Sequence, residues 1–175
     1  MTIAQHIVQM CYIVDNLDQA VNHWVETIGA GPFFVQENLG VPVEYKGSPG
    51  TLDINLALGQ AGSLQIELIE MISNAPSVYS DTYRKGETGF HHVAVFVDNF
   101  EAMVQEYASR GSPLNTRGEF AGGKFCYIDT RAAIGCFTEL YEEAAGMRGM
   151  YKAIAAAAKD WDMKVRTYPL ADALR

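Results

Sequence analysis

The chain has 175 residues, with 13 basic and 21 acidic side chains and a formal net charge of −8. Apolar residues make up 49% of it and charged residues 19%. This composition is typical of a folded domain, because disordered chains combine few apolar residues with a high net charge. An acidic chain whose Lys and Arg residues are scattered singly also argues against nucleic acid or a membrane as partner, since phosphate groups are recognised by clustered basic residues.

The sequence also favours a cytoplasmic location. Its apolar runs are far shorter than the ~20 residues of a membrane span. Residues 1–6 lack the basic start and apolar core of a secretion signal. Cys11, Cys126 and Cys136 form neither an even set nor a C-x-x-C motif, which is typical of buried thiols in a reducing compartment. We therefore expect a single cytoplasmic domain over residues 1–175.

An internal repeat organises the chain. Residues 9–17, Gln-Met-Cys-Tyr-Ile-Val-Asp-Asn-Leu, align with residues 92–100, His-Val-Ala-Val-Phe-Val-Asp-Asn-Phe. Each segment predicts a short strand that ends in Val-Asp-Asn and continues into a helix, over residues 17–24 and 100–107. In both helices the apolar residues follow at positions i, i+4 and i+7, which places them on one face.

Capping residues support both predicted helices. The Asp-Asn pairs at 15–16 and 98–99 stand where a helix N-cap is expected, because their side chains accept hydrogen bonds from the first turn. Gly29 and Gly111 follow the helices, where glycine is favoured. The two copies of the repeat are therefore expected to share a strand–helix start.

The repeat resumes near the end of each copy, where residues 66–70, Ile-Glu-Leu-Ile-Glu, align with residues 138–142, Thr-Glu-Leu-Tyr-Glu. Gly and Pro divide the intervening chain into short strands, predicted over 32–36, 52–58, 64–69, 118–119, 124–129 and 136–141. The sequence thus predicts an α+β fold: two tandem βαβββ modules, over 6–71 and 90–142, form a curved mixed sheet around a central site. An extra C-terminal helix is predicted over 147–161.

Four polar residues stand at repeat-related positions on otherwise apolar strand faces: Gln9 matches His92, and Glu67 matches Glu139. Burying a carboxylate is costly unless it is paired, hydrogen-bonded or bound to a metal. Two carboxylates with an imidazole and an amide are a donor set suited to a divalent metal. The alternative is that each residue lies in water at a strand edge or is satisfied by its neighbours. Strand alternation directs His91 to the opposite face, towards the helices.

The apolar residues that share these faces are expected to line a substrate-binding site. They are Ile7, Cys11, Ile69, Phe90, Phe96, Phe137 and Tyr141. Such a wall suits a small substrate with a hydrophobic or aromatic body. A packed core would contain the same residues, so a purely structural role stays open.

The chain resembles the vicinal oxygen chelate superfamily, which includes the glyoxalase, bleomycin-resistance and extradiol-dioxygenase folds. The resemblance covers residues 6–142. It rests on the paired modules, on Val-Asp-Asn at 14–16 and 97–99, on Gly-Phe-His-His-Val-Ala at 89–94, and on Thr-Glu-Leu-Tyr-Glu at 138–142. It implies a metal held by the first and last strand of each module.

By position, the resemblance assigns metal ligation to Gln9, Glu67, His92 and Glu139. Gln, Glu, His and Glu in this order resemble the ligand set of eukaryotic-type glyoxalase I. Ring-cleaving dioxygenases would have His where Gln9 stands, and methylmalonyl-CoA epimerases usually do. The implied cofactor is a divalent metal, with Zn, Ni, Mn, Co and Fe all open. Glu139 and Glu67 are the expected catalytic residues, and the resemblance favours Glu139.

The resemblance implies a metal-dependent lyase, isomerase or epimerase that transfers a proton next to a carbonyl through a metal-stabilised enediolate. An extradiol-type dioxygenase and a non-catalytic small-molecule binding protein are the alternatives, because a fold alone does not determine a reaction. Arg84, Lys85, Arg117 and Lys124 are candidates for holding glutathione or coenzyme A. For each of them, solvated surface charge is the preferred interpretation.

The predicted C-terminal helix carries an apolar stripe formed by Met147, Tyr151, Ile154, Ala158 and Trp161. The stripe must be buried, either on the chain's own sheet or against a second copy. We expect a homodimer, since twofold dimers are the commonest soluble oligomers. The expected partners are therefore a small-molecule substrate and a second copy of the chain.

Overall fold

The computed structural model describes residues 6–175. The elements of this part, in chain order, are β1 (Ile7–Val14), α1 (Leu17–Ile28), β2 (Phe33–Tyr45), β3 (Ser48–Ala61), β4 (Leu64–Met71), β5 (Gly89–Val97), α2 (Phe100–Ser109), β6 (Leu114–Phe120), β7 (Gly123–Ile128), α3 (Arg131–Ile134), β8 (Phe137–Glu142), α4 (Ala145–Ala158), β9 (Thr167–Pro169) and a 3-10 turn (Leu170–Asp172). Among these helices, none is long and apolar enough to cross a membrane. The prediction that the chain lacks a secretion signal concerns residues 1–6. Residues 1–5 lie outside the described part.

The element order confirms the predicted α+β fold. A strand, a helix and three strands (β1, α1, β2, β3, β4) are followed by the same sequence of elements (β5, α2, β6, β7, β8). The small helix α3 lies between the last two strands of the second copy. The division of a single domain into modules at 6–71 and 90–142 stays a prediction.

The strands form one curved sheet that closes on itself. Their order is β3-β4-β1-β5-β8-β7-β6-β2-β9, and an additional pairing of β2 with β3 joins the two sides into a barrel-like ring. β1 pairs with β4, and β5 with β8, in parallel, while β1 and β5 run antiparallel where the two copies meet. The first and last strands of both copies are therefore neighbours, in the order β4, β1, β5, β8.

The two outer helices begin and end as the capping residues predict. The side chain of Asn16 accepts a hydrogen bond from the backbone of Gln19 at 2.9 Å, and that of Asn99 accepts one from Ala102 at 3.2 Å. Gly29 ends α1 with φ of 75°, a conformation that glycine adopts without steric cost. Each helix covers its own apolar cluster on the outer face of the sheet, separate from the interior core.

The hairpin of β2 and β3 is much longer than predicted. The prediction is short because Gly40, Pro42 and Gly50 suggest breaks in the strands. In the structure the two strands pair continuously across these positions. They meet at Lys46 and Gly47, whose φ angles of 48° and 78° are both positive. A two-residue turn of this kind matches the twist of the strands that it connects. The long hairpin supplies the wall that closes the barrel.

The C-terminal helix α4 starts two residues before the predicted range and ends before Trp161, because Lys159 adopts an extended conformation. Met147 and Ile154 are at most 1% exposed and belong to the interior core. These two residues of the stripe are therefore covered by the chain's own sheet, while Tyr151, Ala158 and Trp161 are half-buried. The homodimer itself stays a prediction.

Candidate metal centre

Four adjacent strands bring the four predicted metal ligands to one side of the barrel interior. Gln9 lies on β1, Glu67 on β4, His92 on β5 and Glu139 on β8, and each is at most 7% exposed. The Nε2 atom of His92 lies 2.9 Å from Glu139 Oε2 and 3.2 Å from Glu67 Oε2. The sheet topology therefore brings together side chains that are far apart in the sequence.

Gln9 joins this group through the hydroxyl of Tyr141. That hydroxyl lies within donating distance of Gln9 Oε1 at 2.9 Å and of Glu139 Oε2 at 2.8 Å. The Nε2 atom of Gln9 donates to Gln65 Oε1 at 2.7 Å, which fixes the direction of its amide. Gln65 is an orienting residue that the sequence analysis misses, although strand alternation already places it on the same face as Glu67.

Two of the ligand atoms show that the cluster fits a metal. Within the described residues, Glu67 Oε2 and His92 Nε2 are buried without a hydrogen-bond partner of acceptable geometry. Such buried atoms are rare, because nearly all buried polar groups in folded proteins are partnered. Ligand atoms held by one ion at ~2.1 Å lie about 3.0–3.4 Å apart, and the distances of 2.9 and 3.2 Å agree with this spacing.

The ionisation of the cluster reflects its burial and its carboxylates. Burial alone would lower the pKa of His92, but the charges of Glu139 and Glu67 raise it to about 9. Burial raises the pKa of Glu139, and His92 offsets that shift only in part. Without a metal, a proton on His92 therefore offsets part of the negative charge of the two carboxylates. A divalent cation would take over this role, and metal binding would release the proton.

The side chain of His91 lies against that of His92 and does not point towards the helices. This corrects the expectation from strand alternation. The register of β1 and β5 shifts between Cys11, which pairs with His92, and Tyr12, which pairs with Phe90. His91 is the extra residue of this β-bulge, and a bulge reverses the alternation on one side of it. The sequence alone gives no signal for the extra residue.

The hydrogen bonds of His91 define its role. Its Nε2 atom lies 3.2 Å from the carbonyl oxygen of Val78, and its Nδ1 atom lies 2.9 Å from His92 Nδ1. A carbonyl oxygen only accepts, so Nε2 carries the hydrogen. Burial lowers the pKa of His91, and the neutral ring therefore accepts at Nδ1. His92 donates to it from Nδ1, which directs its Nε2 towards Glu67 and Glu139.

Five of the seven predicted wall residues lie in or against the interior core. Cys11, Ile69 and Phe137 are fully buried there, and Tyr141 reaches the ligands as described. Phe96 is partly buried and packs against the same core. Burial raises the pKa of the Cys11 thiol, and the charge of Glu67 adds to this shift, so the side chain stays protonated and apolar.

Ile7 and Phe90 lie away from the interior, which is a correction to the predicted wall. Ile7 is 49% exposed, and β1 has a register shift between Ile7 and Gln9 that breaks the alternation. Phe90 precedes the bulge at His91, and its ring lies 5.4 Å from that of Tyr12 on the outer face. In both cases an irregular strand register, which residue patterns do not reveal, turns the side chain outward.

A cavity of about 450 Å³, counting its part open to solvent, lies beside the metal cluster. Its apolar wall comes mainly from the long hairpin, through Leu39, Val41, Leu52, Ile54, Leu56 and Leu58. Met147 and Met150 of α4 extend this wall. The sequence analysis misses these wall residues, although the alternation of apolar residues over 52–58 is a detectable signal for one inward face.

The basic candidates lie on the surface. Arg117 Nη2 is 3.2 Å and Lys124 Nζ 3.9 Å from the carboxylate of Glu101, and the three residues line a separate groove. Lys85 donates to the carbonyl of Ile72 at 2.9 Å, and both Lys85 and Arg84 are exposed. Their positions agree with the interpretation as solvated surface charge.

Comparison with known proteins identifies the family. Residues 8–127 match the Glyoxalase/Bleomycin resistance protein/Dioxygenase superfamily. The chain belongs to this superfamily. The match confirms the predicted resemblance, while the likeness of the ligand set to that of glyoxalase I stays a prediction.

Two proteins of known structure share the fold at low sequence identity. Methylmalonyl-CoA epimerase from Mycobacterium tuberculosis is 21% identical with a TM-score of 0.59, over 81% of this chain and 90% of that one. A variant of the Streptomyces coelicolor epimerase in complex with 2-nitronate-propionyl-CoA is 19% identical with a TM-score of 0.60, over 79% and 97%. The uncharacterized protein YqjC of Bacillus subtilis is 28% identical over 112 residues, 62% of this chain and 79% of that protein.

Proposed function

We propose that the chain is a metal-dependent lyase or isomerase that transfers a proton next to a substrate carbonyl. The observation that carries this proposal is the convergence of Glu67, His92 and Glu139 in the barrel interior. Two of their ligand atoms, Glu67 Oε2 and His92 Nε2, are buried without a hydrogen-bond partner among the described residues. Membership of the superfamily supports the same proposal, and so does the cavity that lies beside the cluster.

Glu67, His92 and Glu139 would hold a divalent metal, with Gln9 as a fourth ligand held in place by Gln65. Two carboxylates balance the charge of such an ion. When bound, it would polarise a substrate carbonyl and stabilise the negative charge of an enediolate. The low exposure of the cluster strengthens this stabilisation, since electrostatic interactions are stronger where water is excluded.

Glu139 is the proposed base of the proton transfer, with Glu67 as the second carboxylate. Burial raises the pKa of Glu139, whereas a bound metal would lower it. A carboxylate whose pKa lies near the operating pH is the better proton acceptor. The Tyr141 hydroxyl, 2.8 Å from Glu139 Oε2, orients the group. Glu139 would take the proton from the carbon next to the carbonyl and return it to a neighbouring carbon or to the other face.

A small substrate with a hydrophobic or aromatic body fits the apolar cavity. The same cavity favours a second candidate, a non-catalytic small-molecule binding protein, if no metal is bound. An extradiol-type dioxygenase is less well supported. Such iron sites combine two histidines with one carboxylate, whereas His91 uses its Nε2 atom on Val78 and leaves one imidazole for the cluster.

Metal analysis and proton exchange together test the proposal. Mass spectrometry of the untreated protein is expected to find about one divalent metal per chain. The protein should also exchange the C2 protons of 2-hydroxyacetophenone for deuterium in D₂O, followed by NMR. Glu139→Gln is expected to slow this exchange by about 10²–10⁴-fold, the usual contribution of a general base.

The matched control is Glu37→Gln, the same chemical change at an exposed position of β2. It should leave metal content and exchange rate unchanged. A protein that takes up none of the five candidate metals would overturn the enzyme proposal in favour of the binding protein. Exchange at the wild-type rate in Glu139→Gln would remove Glu139 from the mechanism.

A further inference from the structure

We infer that the site takes an uncharged, compact substrate that is not attached to an anionic carrier such as a nucleotide or an acidic peptide. This inference rests on the proposed function, because it concerns the cavity beside the same metal cluster. It goes further by specifying the charge and size of the molecule. It departs from the epimerases of similar fold, whose structures contain coenzyme A esters.

The cavity wall carries only acidic charges among the described residues that line it. The charged residues that line it in the described chain are Glu67 and Glu139, both acidic. A carboxylate or phosphate of a substrate would lose its hydration there, and no basic side chain among the described lining residues would replace it. This loss is unfavourable, because an ion moved into an apolar site needs a partner of opposite charge. A neutral molecule has no such cost.

Two arginines that stack on aromatic rings of the core lie outside the cavity lining. Arg131 stacks on the ring of Phe137 at 4.5 Å, and its guanidinium pairs with Asp129 at 2.7 Å. Arg148 stacks on the ring of Phe96 at 3.6 Å and pairs with Glu143. Both cations are thus satisfied by acidic partners, and neither belongs to the cavity lining.

Buried apolar side chains limit the size of the cavity. Leu56 and Leu58 of the hairpin are buried on one side. Met147 and Met150 of α4 close another side and are at most 3% exposed. The volume of about 450 Å³ includes a part that is open to solvent, so the enclosed space is smaller than this figure. The helix that follows the two modules therefore acts as a wall, and flexible methionine side chains adapt to an apolar body.

Binding of a matched pair of probes tests the inference. 1-Phenyl-1,2-propanedione and phenylglyoxylate share a phenyl ring and two adjacent oxygens, but only the second carries a carboxylate. Calorimetry on chelator-treated protein measures the cavity without the contribution of a metal. We expect the neutral dione to bind about tenfold more tightly or better, and coenzyme A alone not to displace it.

Two variants place a cation in the wall. Met150→Lys changes a buried position of α4, and Leu39→Lys changes a half-buried position of β2 that is expected to tolerate it. Both should reduce or reverse the preference for the neutral probe. The control is Ala155→Lys, which adds the same charge on the exposed face of α4 and should keep the wild-type ratio.

The outcomes separate this inference from the proposed function. Phenylglyoxylate binding as tightly as the dione to chelator-treated wild-type protein would overturn the inference, and so would displacement of the dione by coenzyme A. Absence of metal binding or of proton exchange would overturn only the proposed function. In that case, a persisting preference for the neutral probe would still support the inference about the cavity.

Discussion

The replacement His91→Phe tests whether the second histidine prepares the first one for a metal. Phenylalanine retains a flat ring that can still stack on Phe137, whose ring centroid lies 5.1 Å from that of His91. It removes both hydrogen bonds of the imidazole, to Val78 at 3.2 Å and to His92 at 2.9 Å. The ring of His92 then has no acceptor for its Nδ1 hydrogen.

The magnitude follows from these lost contacts. A buried donor without an acceptor costs about 1–3 kcal/mol, so the free energy of unfolding should fall by a similar amount. Loss of a residue that orients a ligand histidine typically weakens metal binding by about 10–100-fold. His91→Gln keeps an acceptor oxygen for His92 and is expected to recover part of the affinity.

Zinc affinity is measured by competition with a chromophoric chelator, and stability by urea denaturation. Tyr79→Phe is the matched control, because the Tyr79 ring lies 5.2 Å from that of His91 and its hydroxyl contacts Tyr127 at 3.1 Å. It should lower stability but leave the zinc affinity unchanged. The reasoning is refuted if His91→Phe binds zinc within about twofold of the wild type, or if Tyr79→Phe loses as much affinity.

Three further predictions concern stability and assembly. Ile154→Ala shortens a side chain of α4 that is 0% exposed. It should lower the free energy of unfolding, measured by urea denaturation, by about 2–5 kcal/mol. A loss below ~1 kcal/mol would contradict tight packing of α4 on the sheet. Burial disfavours the charge of Asp81, but hydrogen bonds from Lys46 and two further donors outweigh it and lower the pKa of the carboxyl. Asp81 therefore stabilises the fold fully above the pKa that its carboxyl has in the unfolded chain, and this contribution is lost as the pH falls through the lower pKa of the folded state. In Asp81→Asn, the free energy of unfolding should fall less steeply with decreasing pH. An unchanged acid dependence would show that Asp81 does not contribute. Light scattering at micromolar concentration should give twice the chain mass of 19.2 kDa, and the mass of one chain would exclude the homodimer.

The sequence by itself determined the α+β fold class and the paired strand–helix starts, because both depend on local patterns. Alternation of apolar residues, Asn16 and Asn99 at the helix starts, and Gly29 at a helix end act within a few residues of each other. The repeat also predicted four polar residues that lie on the same side of the barrel interior, since equivalent positions in two copies of a module become neighbours when the modules pair. These features are either local or follow from the equivalence of the two repeat copies, so they can be predicted from one sequence.

The tertiary structure decided the details of the site, because they depend on strand register and on contacts between distant segments. A single extra residue in β5 brings the imidazole ring of His91 within hydrogen-bonding distance of the ring of His92 and turns Phe90 outward. The closure of β2 onto β3 and the packing of α4 select the cavity wall. Register and closure are set by the free energy of the whole barrel, to which every pairing contributes, and no local pattern in the sequence specifies either of them.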